Sequence, residues 1–252
     1  MSPLRTFRLT VAYDGTGFHG WQKQPTVRTV QRELEVALAR VLDSEVMTAG
    51  AGRTDTGVHA RGQVVSFKAE TAVPAHAFTY LVNRHLPEDV RVMASVEAPE
   101  GFHARHSARA RRYEYRVLAA PDLLRMRSAW LPKVCPPLEV LQACAAPIRG
   151  RHDFTAFQAA GNDQATVTCD VRLAEWRAVE GGYAFDVIAD HFLYHMVRKL
   201  VGTAFEAAVT ADPAGHVAGV LHARDRRRAG RMVPASGLSL EQVYYEGEEY
   251  AS

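Results

Sequence analysis

The chain has 252 residues, 47% hydrophobic and 23% charged, with a formal net charge of +2, the make-up of a soluble globular protein with one large domain or two ordinary ones. No apolar run is long enough to span a bilayer, and the opening Met1-Ser2-Pro3-Leu4-Arg5-Thr6 lacks the apolar segment of a signal peptide, so a cytoplasmic protein is expected. Cys135, Cys144 and Cys169 are an odd set without CxxC spacing, and the histidines form no HExxH pair; a disulfide framework is excluded and no metal site is expected.

In chain order, residues 5–13 alternate with Leu9, Val11 and Tyr13 on one face and predict a strand. A turn-rich stretch from Asp14 to Trp21 follows. Thr29 fits an N-cap, and Val30, Leu34, Leu38, Val41 and Leu42 recur at helical spacing. Residues 45–50 and 61–69 predict strands on either side of Gly52-Arg53-Thr54-Asp55-Thr56-Gly57-Val58-His59-Ala60. A helix near 75–84 runs toward Pro87, which ends it, and Asp89 to Val96 reads as a strand. The layout is strand–helix–strand–strand–helix–strand.

The remainder repeats the idea. Tyr113 to Val117 alternates as a strand, and a helix near 137–147 follows Pro136-Pro137. Residues 167–179 and 183–190 predict a hairpin across Glu180-Gly181-Gly182. A long amphipathic helix over 194–209, a shorter one near 214–223 and a closing strand from Leu238 to Tyr245 complete the chain. Antiparallel sheets with helices on one face make an α+β fold.

Of 30 basic residues, 26 are arginine and four are lysine. Arginine's planar fork suits phosphate and stacks on bases. Arg105, Arg109, Arg111, Arg112 and Arg116 are interleaved with His103, His106, Tyr113 and Tyr115, and a second knot joins Arg224, Arg226, Arg227, Arg228 and Arg231. Solvated charge is the ordinary reading of such runs; basic and aromatic interleaving turns it toward RNA.

Three chemistries compete for the glycine and aspartate motifs. Gly15-Thr16-Gly17-Phe18-His19-Gly20 has dinucleotide-binding spacing, but Trp21-Gln22-Lys23-Gln24-Pro25 separates it from any helix, so it fails its structural context. Asp55-Thr56-Gly57 is the aspartic-protease triplet, but it occurs once, and Arg53 beside it favours full ionisation over a shared proton. The third reading is a lone ionised carboxylate that attacks an electrophilic carbon or stabilises developing positive charge. A turn-capping aspartate weighs equally on the motif alone.

The residues around Asp55 resemble the active-site motif of the TruA-type tRNA pseudouridine synthases. Tyr13-Asp14-Gly15-Thr16-Gly17-Phe18-His19-Gly20-Trp21-Gln22 is similar to that family's N-terminal block. Asn83 with Leu86-Pro87, Phe102-His103-Ala104-Arg105, Arg112-Tyr113-Glu114-Tyr115, Gly150 to Phe157, Phe192 to Arg198, and Pro234-Ala235-Ser236-Gly237-Leu238 continue the likeness in order. It implies isomerisation of uridine to pseudouridine at positions 38, 39 and 40 of the tRNA anticodon stem-loop, without a cofactor. It further implies two ferredoxin-like halves, with mainly antiparallel sheets joined across a central cleft, and a homodimer bridged by RNA. The halves would be 1–103 with the Asp55 loop, and 104–252 with the active-site tyrosine, its basic neighbour and the dimer and RNA surface. A non-catalytic tRNA-binding protein of the same fold is the alternative.

By the same resemblance Asp55 is the catalytic carboxylate, Tyr113 stacks on the flipped base and assists loss of the C5 proton, and Arg198 pairs with Asp55. On spacing alone Arg53 would be the partner of Asp55, since positions i and i+2 share a face where the segment is extended; with Arg198 in that role, Arg53 contacts RNA near the flipped nucleotide. Leu238 packs beneath the uracil, with an ordinary core leucine the competing reading. Arg105, Arg111, Arg112 and Lys199 are candidates for phosphate contacts, with solvated charge the competing reading. Trp21 and Phe157 read as core. The chain departs from the family pattern at His106 and around Thr166-Val167-Thr168-Cys169-Asp170.

Overall fold

The computed structural model describes residues 3–161 and 166–250; Met1 and Ser2 of the opening segment lie outside them. The described residues form an α+β fold in two compact units. The first runs to Arg109 and takes back Leu240–Tyr250, and the second is Ala110–Ser239. Among the described residues no helix is long and apolar enough to cross a membrane.

The first unit contains β1 (Leu4–Tyr13), α1 (Val30–Leu42), β2 (Ala49–Gly50), β3 (His59–Glu70), α2 (Ala77–Asn83) and β4 (Val90–Ala98). Its strands lie in the order β4-β1-β3, with β2 also on β3 and antiparallel ladders throughout. This is a ferredoxin-like arrangement. Alternation in β1 buries Phe7, Leu9, Val11 and Tyr13, as its sequence predicts. Phe7 faces Phe67 across the ladder, with rings stacked at 5.1 Å, and Phe78 of α2 meets them edge-on at 4.8 and 5.3 Å. Such aromatic pairs each contribute about 0.5–1.5 kcal/mol beyond area burial.

The expected strand over 45–50 shrinks to Ala49–Gly50. Side chains of α1 occupy the backbone just before it. Glu35 Oε1 accepts from the Thr48 N–H at 3.1 Å, and Gln31 Nε2 donates to the Thr48 carbonyl at 2.9 Å. With those groups satisfied, Thr48 has nothing to offer a ladder. Thr29 does occupy the N-cap of α1, but its side chain makes no capping bond.

The second unit contains β5 (Ala110–Leu118), α3 (Leu138–Ala145), β6 (Gly150–Asp153), β7 (Thr168–Val179), β8 (Gly182–Ala189), α4 (Met196–Ala207) and α5 (Pro213–Ala223). Its strand order is β5-β8-β7-β6, antiparallel at each printed register. α3 packs on β7, α4 on β5, and α5 on both helices. One sheet face buries Tyr113, Tyr115, Phe185, Val187 and Trp176. The closing strand β9 (Leu238–Tyr244) has its last five residues in the first unit. That return differs from a single cut at 103/104, because one short strand carries no sequence mark of the unit it joins.

Candidate active site

Asp55 sits in a loop held by the turn-rich Asp14–Trp21 segment. The Trp21 N–H donates to the Thr54 carbonyl at 3.0 Å, and the Gly57 N–H donates to the Phe18 carbonyl at 3.3 Å. The Val58 N–H closes the loop on the Asp55 carbonyl at 3.1 Å. These contacts explain the glycine motif that failed as a dinucleotide site. A Cβ at Gly15 would lie 2.0 Å from the Val58 carbonyl oxygen, and one at Gly20 would lie 2.7 Å from that of Thr54. Only glycine lets the backbones approach this closely. Asp55 is half-buried and Arg53 is exposed.

Behind the loop lies a polar cluster that sequence reasoning did not assign to the site. The hydroxyls of Tyr13 and Thr54 share a buried hydrogen bond of 2.7 Å. Gln63 Nε2 donates to the Gly52 carbonyl at 2.8 Å. His59 Nδ1 accepts from the Gly15 N–H at 3.1 Å, with Asp14 Oδ1 3.2 Å away. The only sequence signal was position: all of these residues except Gln63 belong to the motifs carrying the resemblance.

Arg105 is exposed on a tight turn in the first unit, where His103 Nδ1 accepts from its backbone N–H at 3.2 Å. Burial lowers the His103 pKa, and the nearby charges of His106 and Arg105 lower it further.

In the second unit Tyr113 is buried on β5 and meets Phe192 edge-on at 5.0 Å. Arg198 on α4 is 9% exposed, and its Nε donates to the Val233 carbonyl at 2.8 Å. Burial raises the pKa of Tyr115, two residues from Tyr113, against an opposing pull from the Arg198 charge. Leu238 is buried at the start of β9. Arg111 donates to the Asp190 carbonyl at 2.7 Å, and Lys199 donates to the Arg226 carbonyl at 3.2 Å. Burial, with the Arg226 charge, lowers the Lys199 pKa.

Arg112 has a structural partner that its place in the basic run concealed. Its Nε donates to Asp186 Oδ1 at 2.9 Å, and Arg177 Nε donates to Oδ2 of the same carboxylate at 2.6 Å. Asp186 is fully buried and faces Glu114 across the β5–β8 ladder. Like charges placed opposite each other destabilise a sheet. Arg177 bridges both acids, and Arg116 pairs with Glu114 at 2.5 Å.

Cys169, Asp190 and His191 are near enough to resemble a ligand set. His191 Nδ1 lies 3.1 Å from Asp190 Oδ1, and Nε2 lies 3.5 Å from Cys169 Sγ. Donation from Nδ1 leaves Nε2 as an acceptor for S–H. Burial, with Asp190 and Asp153 adding to it, pushes the Cys169 thiol up to about 12. With the thiol protonated, the three side chains form a hydrogen-bonded chain.

A family model described as tRNA pseudouridine synthase matches residues 9–107 and 145–246. The chain is 38% identical over 248 residues to tRNA pseudouridine synthase A of Ruminiclostridium cellulolyticum, covering 96% of this chain and 100% of that protein. The protein of the same name from Acetivibrio thermocellus is 37% identical, with the same coverage. The one from Moorella thermoacetica is 40% identical over 94% of this chain and 98% of its own length.

Proposed function

The chain belongs to the tRNA pseudouridine synthase family, whose members isomerise uridine to pseudouridine in tRNA, and we propose that its targets are uridines 38, 39 and 40 of the anticodon stem-loop, with Asp55 as the catalytic carboxylate. The observation that carries this reading is the family match across both units, with Asp55 in a loop braced by the other residues of the motif.

The reaction breaks the C1′–N1 bond, rotates the uracil and forms a C1′–C5 bond; the C5 proton is lost and N1 takes up a proton, so the product is an isomer of the substrate. Attack at C1′, attack at C6 and assistance to elimination at C2′ all draw on the same carboxylate. An ordinary aspartate is anionic at neutral pH and needs no activation. Tyr113 stacks on the extruded base and assists removal of the C5 proton; base–aromatic stacking, worth about 1–3 kcal/mol, offsets part of the cost of unstacking. Arg198 pairs with the Asp55 carboxylate. Arg53 contacts RNA beside the flipped nucleotide, and Leu238 lies under the uracil. Arg105, Arg111, Arg112 and Lys199 meet phosphates, Arg112 with part of its guanidinium already on Asp186. No cofactor takes part, and the enzyme works in the cytoplasm as a homodimer that tRNA bridges.

The test is pseudouridine mapping on an unmodified tRNA transcript incubated with the protein alone. The wild-type chain is expected to modify the anticodon stem-loop. Asp55→Asn is expected to leave no detectable product while binding tRNA within about threefold of wild type, since it removes charge without bulk. Turnover by Asp55→Asn would overturn the mechanism. Binding without product by the wild-type chain would favour a non-catalytic tRNA-binding protein.

A further inference from the structure

A catalytic carboxylate must be held to a fraction of an ångström, and a displacement of about 1 Å can cost on the order of a hundredfold in rate. The backbone just before Asp55 is fixed at two points of one residue. The Thr54 carbonyl accepts from the Trp21 N–H at 3.0 Å, and the Thr54 hydroxyl meets the Tyr13 hydroxyl at 2.7 Å, with both residues buried.

Tyr13 reaches this position by the alternation of β1, which keeps it on the buried face with Leu9 and Val11. The β1–β3 register sets Val11 against Gln63 and Tyr13 against Ala60, so the extra residue of the bulge lies in β3, the strand that follows the Asp55 loop. The Tyr13 ring packs against Trp21 at 6.2 Å, and the Gln63 amide, which also holds the Gly52 carbonyl, lies within reach of the phenol. Burial raises the Tyr13 pKa far above its ordinary value, so the hydroxyl keeps its proton at any working pH. An apolar core position asks only for the ring; the hydroxyl has one evident use.

We infer that Tyr13 is a positioning residue for the isomerisation, setting the Asp55 carboxylate through its hydroxyl bond to Thr54. The inference rests on the reading of Asp55 as the catalytic group. Tyr13 touches no substrate, so its loss should act on the chemical step and leave tRNA binding alone.

The experiment compares Tyr13→Phe, Thr54→Val, Thr54→Ser, the Tyr13→Phe/Thr54→Val double variant and Asp55→Asn in full-length protein. Each is checked for folding by circular dichroism at the assay temperature, and kcat and KM are measured on a tRNA transcript. Tyr13→Phe and Thr54→Val are each expected to lower kcat about tenfold or more, with KM within about twofold of wild type. Thr54→Ser keeps a hydroxyl and should recover most of the rate. The double variant should be no slower than the slower single variant, because the two changes remove one bond. A merely structural role would not give the KM-against-kcat split or the serine rescue. Wild-type kcat in a folded Tyr13→Phe or Thr54→Val, with Asp55→Asn inactive, overturns the positioning role and leaves Asp55 as the catalyst. An active Asp55→Asn overturns both.

Discussion

At the scale of single residues, neighbours on the chain predict partners poorly. Arg112 stands in a run read as phosphate-binding, yet it pairs with the buried Asp186, contributed by another strand. Arg53, two positions from Asp55, is exposed. Cys169 is a further case, because its surroundings fix its protonation. Burial and two aspartates push the thiol up to about 12, and burial lifts Cys144 to about 11, from an ordinary 9.0. Both folded values lie above the unfolded one. The associated stability is therefore complete below about pH 9 and is lost as pH climbs toward 11 and 12, where the unfolded chain ionises first. Melting temperature measured from pH 8 upward should fall more steeply in the wild type than in Cys144→Ala/Cys169→Ala, once each is referred to its own value at pH 8. Parallel curves would show that the thiols ionise freely in the folded state.

At the scale of elements, what could be read from the sequence was what local pattern controls. Alternation gave β1 because one face is buried and the other is not. Helical spacing found α1, and Glu180-Gly181-Gly182 marked the β7–β8 hairpin. β6 has four residues and no buried position, too little apolar alternation to register. The shortening of β2 depended on Glu35 and Gln31, side chains more than a dozen positions upstream. In the candidate site, the motif alone left Asp55 evenly weighed between catalysis and turn capping and Tyr113 rested on family likeness, whereas the Tyr13–Thr54 bond joins residues 41 positions apart that no local pattern links. The acidic face of the second sheet gives a prediction at this scale. Asp186 is buried between Arg112 and Arg177, and removing one partner of a buried ionic cluster leaves uncompensated charge, at a cost of about 3–5 kcal/mol. Asp186→Ala should destabilise the protein by that order in urea unfolding. Arg112→Ala should cost less, because Arg177 still holds the carboxylate. A loss below about 1 kcal/mol for Asp186→Ala would mean that the cluster is solvated in solution.

At the scale of the whole molecule, a net charge of +2 gives no hint of an RNA ligand, because acids and bases nearly balance. What matters is how that balance is spent. Glu114 and Asp186 neutralise arginines within the second unit, whereas Arg53 and Arg105 are exposed and remain candidates for phosphate. Each phosphate contact releases counterions, so log affinity falls with log salt at a slope of about −0.7 to −0.9 per contact. Transcript binding should therefore weaken on the order of a hundredfold between about 50 and about 200 mM salt if several contacts form. Arg53→Ala and Arg105→Ala should each make that slope shallower by about one contact. Arg112→Ala separates the two uses of arginine: a slope as steep as wild type, with reduced stability, assigns its guanidinium to Asp186, and a shallower slope with unchanged stability assigns it to RNA. Filter binding across a salt series, run beside urea unfolding of the same variants, reads both. Affinity independent of salt would remove the arginine-rich surface from tRNA recognition altogether.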